Sequence, residues 1–108
     1  MDLHRLAEER SVAYHRAIAE RLRDEPAILE RARRRVEDWL TSGGPAPDAA
    51  ARWAALLAAD LAAIEAFLVE RSEPADELRQ SSPFAGALAP RERWRIWRDT
   101  RDRLAPRP

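Results

Sequence analysis

The sequence predicts an all-α protein, a single compact bundle of five to six helices over residues 1–105 with a disordered tail at 106–108. Three observations lead to this fold class. Apolar residues recur at three- and four-residue spacings through most of the chain. Proline and glycine divide the chain into segments of helical length. No segment alternates apolar and polar residues as a half-buried strand would. The length of 108 residues is that of one domain.

Two amphipathic helices are predicted in the first 44 residues. The first spans residues 2–24, with apolar residues on one side and His4 and His15 at the edge of that side. Pro26 ends it and begins the second helix, residues 26–41, which stops at a pair of glycines. Acidic residues flank the arginine run at 31–35 with i, i+4 spacing, so we expect a solvated face whose charges pair along the helix.

The middle of the chain predicts a central helix. Asp48 is expected to cap it, and the following run is apolar nearly all round, which is typical of a helix surrounded by others. This run either continues as one helix or bends near Asp60. Ser72 is expected to cap a short helix that ends near Gln80.

The C-terminal stretch SSPFAGALAPRERWRIWR, residues 81–98, combines a loop with an arginine- and tryptophan-rich helix. Pro90 begins this helix, and Trp94 and Trp97 lie on one stripe of it, so we expect both tryptophans in the core or at an interface. Phe84, in the preceding loop, is predicted to plug into the bundle or into a partner. Three arginines of the helix are predicted to project outward, where a partner can bind them: Arg91, Arg95 and Arg98.

The charges are balanced overall but unevenly distributed. The formal net charge is zero, which disfavours a nucleic-acid partner, because bulk attraction to a polyanion requires a positive excess. Residues 45–80 contain three basic and seven acidic residues, whereas residues 81–108 contain seven basic and three acidic ones. We expect these two segments to pack together within one molecule, or one of them to meet a partner.

Composition also limits the cellular location and the cofactors. The chain has no cysteine, which excludes disulfides and thiolate metal sites. No apolar run approaches the length of a membrane span, and the first residues do not resemble a secretion leader. We therefore expect a cytoplasmic protein with no membrane partner.

Candidate catalytic residues are few. His4 and His15 are too far apart along one helix to share a metal ion, and no glycine-rich phosphate loop occurs, so no cofactor is expected. Arg10 and His15 match the R-x4-H spacing that resembles the active motif of HEPN-type helical ribonucleases. That resemblance implies an arginine that stabilises phosphate charge and a histidine that assists proton transfer. The alternative interpretation is structural: Arg10 crosses an apolar face to an acidic partner, and His15 lies at the rim.

The segments LRQSSPFAGALAPRERWRIWR, residues 78–98, and HRAIAERLR, residues 15–23, are similar to a family of small bacterial proteins from high-GC genomes. The stretch S-P-F-A-G-x-L-x-P-R-x-R-W is the specific part of this resemblance. Genes of that family lie beside toxin–antitoxin-like or helix-turn-helix regulator genes, which implies a partner-binding role. No catalytic residues are assigned to the family, so none is carried over.

Three functional hypotheses follow from the sequence. The first is a non-enzymatic protein–protein interaction module, such as an antitoxin-like or regulatory subunit, with a protein partner or a second copy of the chain. The second is a HEPN-like ribonuclease that uses Arg10 and His15. The third is nucleic-acid binding through the C-terminal arginine and tryptophan helix. The missing catalytic constellation and the separated charges favour the first.

Overall fold

Six α-helices form the fold in the part of the chain that the structure describes. The structure is a computed structural model that describes residues 2–44 and 46–106. The helices are α1 (Leu3–Arg21), α2 (Pro26–Ser42), α3 (Pro47–Leu57), α4 (Leu61–Leu68), α5 (Glu73–Arg79) and α6 (Pro90–Leu104). No strand occurs in the described residues, so the predicted all-α class is confirmed. Residues 107 and 108 of the predicted tail lie outside the described residues.

Side-chain caps begin three of the helices. A carboxylate oxygen of Asp2 accepts from two backbone N–H groups at the start of α1, and the hydroxyl of Ser72 accepts from the N–H of Ala75 in α5. The expectation that Asp48 caps α3 was wrong. This helix begins at Pro47, whose fixed φ suits the first helical position, so Asp48 lies in the first turn.

The central apolar run is two helices and not one. α3 ends at Leu57 and α4 begins at Leu61, so the predicted bend near Asp60 is a full break. Asp60 has extended backbone, and its carboxylate accepts a 2.8 Å hydrogen bond from the N–H of Ala63. Because the cap satisfies one free donor of the new helix, the chain can restart there at low cost.

α1 is the helix that organises the bundle. It contacts α4, α5 and α6, whereas α2 packs mainly on α3. α6 runs antiparallel to α1, because Arg21 pairs with Glu92 while the guanidinium of Arg10 lies over the ring of Trp97. The core between the helices contains large, fully buried side chains, among them Ile18, Trp53, Ile64, Leu68 and Phe84.

Trp94 and Trp97 are not core residues. Trp94 is 56% exposed and Trp97 is 41% exposed. α6 packs through the side that carries Ile96 and Thr100, two positions separated by one turn. At 100° per residue, Trp94 lies about 160° around the helix axis from Ile96. Of the two predicted positions for these tryptophans, the structure therefore excludes the core, and the interface stays a prediction.

The arginine run of α2 does not serve as a self-paired face. Arg33 donates to the carbonyl of Leu57 at 2.8 and 3.0 Å, and Arg35 donates to the carbonyl of Ala85 at 2.7 Å. No ion pair joins these two arginines to an acidic residue in the described part of the chain. They instead satisfy carbonyls at the end of α3 and in the loop before α6.

None of the described helices combines the length and the apolar character that crossing a membrane requires.

Candidate binding groove

The loop between α5 and α6 is held by its aromatic residue. Phe84 is 1% exposed, and its ring packs edge-on against Trp53 at a centroid distance of 6.1 Å. The hydroxyl of Tyr14 donates a 2.6 Å hydrogen bond to the carbonyl of Phe84. Of the two positions that the sequence predicted for Phe84, the structure shows the one inside the bundle. Its side chain is therefore not a partner-binding residue in this structure.

His15 lies beneath the same loop. Its Nδ1 is 2.7 Å from the carbonyl of Ser11, and its Nε2 is 2.7 Å from the hydroxyl of Ser82. A carbonyl can only accept, so Nδ1 carries the proton and Nε2 accepts from Ser82. The backbone N–H of Phe84 donates to the same Ser82 oxygen at 3.1 Å. One serine thus closes the turn and joins it to α1.

The His15 imidazole is neutral at pH 7. Burial lowers its pKa from 6.5 to about 4, because the charged form would lose its hydration. The hydrogen bond to Ser11 acts in the opposite direction, and the nearby Arg79 charge lowers the pKa further. With 4% of its surface exposed, His15 belongs to the core. Its expected position at the rim of α1 was wrong, because the loop after α5 covers this part of α1.

A groove of about 620 Å³ lies between α1, α6 and this loop. Arg10 of α1 and Trp97 of α6 line this groove from opposite sides. The Cζ of Arg10 lies 5.5 Å from the centroid of the Trp97 ring. Arg93 approaches the same ring at 6.0 Å. Both distances are those of cation–π contacts. The groove therefore combines two guanidinium groups with an exposed indole.

Arg79 is a groove residue that the sequence did not single out. Its side chain is fully buried and forms an ion pair with Asp76. The Nε of Arg79 and the Nε of Arg10 are buried, and neither has a hydrogen-bond partner in the described residues. The only sequence feature that could have pointed to Arg79 is Asp76, three residues earlier on α5. This feature is not distinctive, because acidic residues also lie near many other arginines of this chain.

Arg10 and His15, the predicted HEPN-like pair, both line the groove. These two residues are five positions apart in the sequence, so their side chains point about 140° apart around the axis of α1. Both line the same groove because the loop and α6 pack on different sides of α1. Both ring nitrogens of His15 are occupied by Ser11 and Ser82. A general base needs a nitrogen within reach of the substrate proton, so this arrangement does not favour ribonuclease chemistry at His15.

The outward face of α6 carries the predicted arginines. Arg91, Arg95 and Arg98 are all exposed. Arg98 lies 3.4 Å from Asp99 on the same helix, whereas Arg91 and Arg95 form no ion pair with any described residue.

The expected pairing of the acidic middle segment with α6 within one molecule is not observed. No ion pair joins residues 46–80 to residues 81–106. Among the described residues, one ion pair connects α6 to another helix, and it joins Glu92 to Arg21 of α1. α6 contacts chiefly α1, so its arginines do not reach the acidic residues of α4 and α5.

The described residues contain no group of three or more histidine, cysteine or acidic side chains that could hold a metal ion. Comparison of the chain with protein-family models, with curated proteins and with solved structures found no match.

Proposed function

We propose that this protein is a non-enzymatic protein–protein interaction module, an antitoxin-like or regulatory subunit, that docks through the outer face of α6. The observation that carries the proposal is the exposure of Trp94 and Trp97 beside Arg91, Arg95 and Arg98. Tryptophan and arginine are enriched among the residues that dominate binding energy at protein interfaces.

Exposed indoles of this size are costly to leave in water. Covering one fully exposed large apolar side chain contributes roughly 1.5–3 kcal/mol. About half of each indole is exposed, so the two tryptophans together offer the equivalent of about one such side chain. Arg91 and Arg95, without partners among the described residues, add charge that selects an acidic surface.

A second copy of this chain offers such an acidic surface. Glu73 and Glu77 of α5 are exposed, and neither forms an ion pair with a described residue. Together with Glu8 and Asp76, which pair with His4 and Arg79, they line a depression of about 590 Å³ that Arg71 also lines. The arginines of α6 form no ion pair with these acidic residues within one chain. The arginines of one chain can therefore pair with the glutamates of a second chain. We therefore propose that the first partner of the α6 face is a second copy.

Sedimentation velocity over a range of concentrations and salt tests this proposal. The expected result is a dimer that weakens as salt rises, because screening shortens the range of charge attraction. Trp94→Ala and Arg95→Glu are expected to shift the chain toward monomer. Arg31→Glu, a charge reversal at an exposed position of α2, is the matched control and is expected to dimerise like the parent.

The charge swap gives the sharpest outcome. A mixture of Arg95→Glu with Glu77→Arg is expected to recover association that neither variant shows alone. A chain that remains monomeric at low salt at every concentration would overturn the proposal, as would equal behaviour of Arg95→Glu and Arg31→Glu.

A further inference from the structure

The groove between α1, α6 and the loop at 80–86 has the size of a small-molecule site. Its volume of about 620 Å³ falls in the range of pockets that enclose one organic ligand. Trp39, from the end of α2, and Trp97, from α6, both line it. A ligand there would contact indole surface on two sides of the groove.

The charge of the groove is positive and is not balanced by the chain. Arg10, Arg79 and Arg93 line it, and no aspartate or glutamate does. Asp76 neutralises Arg79, but Arg10 and Arg93 form no ion pair with any described residue. His15 adds no charge at pH 7, since its pKa is about 4. Two uncompensated guanidinium groups therefore face the cavity.

Buried donors in the groove lack acceptors. The Nε of Arg10 and the Nε of Arg79 are both buried without a hydrogen-bond partner in the described residues. The Arg79 side chain is wholly buried, so solvent does not reach it. The other nitrogens of Arg79 donate to Asp76 and to two backbone carbonyls, so only its Nε is unsatisfied. An unsatisfied buried donor is unfavourable. An anion that enters the groove would not reach Arg79, but it would give the partly buried guanidinium of Arg10 a charged acceptor.

The wall of the groove is otherwise rigid and neutral. Ser82 is committed to His15 and to the backbone N–H of Phe84, and the hydroxyl of Tyr14 is committed to the carbonyl of Phe84. These hydrogen bonds fix the loop beside the cavity. The site is thus preformed, which lowers the entropy that a ligand must lose on binding.

We propose that this groove is a binding site for a small aromatic anion, in which the ring lies against the indoles and the anionic group meets Arg10 and Arg93. Carboxylates and phosphates share the planar or clustered oxygens that a guanidinium group binds in pairs. The proposed ligand is therefore an aromatic carboxylate or an aromatic phosphate. Trp97 belongs both to this groove and to the proposed docking face, so the tests use residues of one site only: Trp94 and Arg95 for docking, Arg10 and Arg93 for the groove.

Isothermal titration calorimetry with three naphthalene probes tests the site. We expect 1-naphthoate and 1-naphthyl phosphate to bind, and the tighter of the two identifies the anionic group. The uncharged 1-naphthamide has the same ring and is expected to bind at least about tenfold more weakly, because it cannot form a charge-assisted pair.

Variants of the arginines distinguish a built site from general adhesion. Arg93→Gln is expected to weaken 1-naphthoate binding by about tenfold or more, whereas Arg31→Gln, at an exposed position of α2 outside the groove, leaves it unchanged. Arg10→Gln is expected to act like Arg93→Gln; if it unfolds the chain, as judged by circular dichroism, the Arg93 variant alone decides. Equal affinity for the acid and the amide would overturn the proposal. So would the absence of binding by both anions, or an Arg93→Gln variant that binds like the parent.

Discussion

The imidazole Nε2 of His15 and the hydroxyl of Ser82 lie 2.7 Å apart, although 67 positions separate these residues in the chain. This hydrogen bond joins the middle of α1 to the loop before α6. It also fixes the tautomer of the neutral ring, since Nδ1 donates to the carbonyl of Ser11 and Nε2 is left to accept from Ser82. A neutral buried histidine at this junction makes the stability of the bundle depend on pH.

We expect stability to fall as the pH is lowered from 6.5 to 4. The folded pKa of His15 is about 4 and the ordinary value is 6.5, so between these values the unfolded chain binds the proton that the folded chain excludes. The full contribution of His15 is present above pH 6.5, and about 3 kcal/mol of it is lost on descending to pH 4. Urea unfolding at a series of pH values measures this slope.

The control for this pH dependence is His15→Gln, in which the titrating group is gone while His4 and all carboxylates remain. Its free energy of unfolding is lower than that of the parent at pH 7, but it should decline less between pH 6.5 and 4. Parallel curves for parent and variant would contradict the assignment.

Two aromatic residues, Phe84 and Trp94, provide a direct test of the core. Phe84→Ala removes a fully buried ring and should reduce the free energy of unfolding by about 3–5 kcal/mol, because it leaves a cavity. Trp94→Ala removes a larger ring that is 56% exposed and should change it by about 0.5 kcal/mol or less in the monomer. Chemical denaturation of the two variants at low protein concentration measures their free energies of unfolding. A larger decrease for Trp94→Ala than for Phe84→Ala would refute the assignment of Phe84 to the core and Trp94 to the surface.

The break between α3 and α4 depends on one carboxylate. Asp60→Ala should cost about 1 kcal/mol of stability, because the N–H of Ala63 loses its acceptor. Asp60→Asn keeps an acceptor oxygen at the same place and should remain close to the parent. The midpoint of thermal unfolding reports both, and the prediction fails if alanine and asparagine behave alike.

Gly86 holds the loop in a conformation that other residues adopt with difficulty. Its φ is +82°, while no atom lies within 4 Å of the place where a Cβ would stand. Gly86→Ala should therefore cost about 1–2 kcal/mol through backbone conformation alone. Asparagine tolerates positive φ better than alanine, so Gly86→Asn should lose less stability in the same denaturation experiment.

Local signals predicted the helices well because each depends on a few adjacent residues. Prolines in first turns, the Ser72 cap and the glycine stop after α2 all act within about one helical turn. Asp60 was recognised as a bend for the same reason. Asp48 was misassigned because Pro47, directly before it, is the stronger start signal.

The groove was less predictable because long-range packing builds it. The periodicity of α6 shows a tryptophan stripe, but it does not show which side meets α1, and the structure uses Ile96 and Thr100 instead. His15 becomes a core residue through Ser82, and Arg79 becomes a groove residue through the arrangement of α4, α5 and the loop. Contacts across such sequence distances leave no spacing pattern in one sequence.

The antiparallel pairing of α1 with α6 has a consequence for how the chain folds during synthesis. Arg21 meets Glu92, which the ribosome adds 71 residues later. Until then the side of α1 that α6 will cover has no partner, although α2 and α3 can already pair. Contacts of such long sequence separation slow folding, and a nascent chain in this condition exposes apolar surface to other proteins.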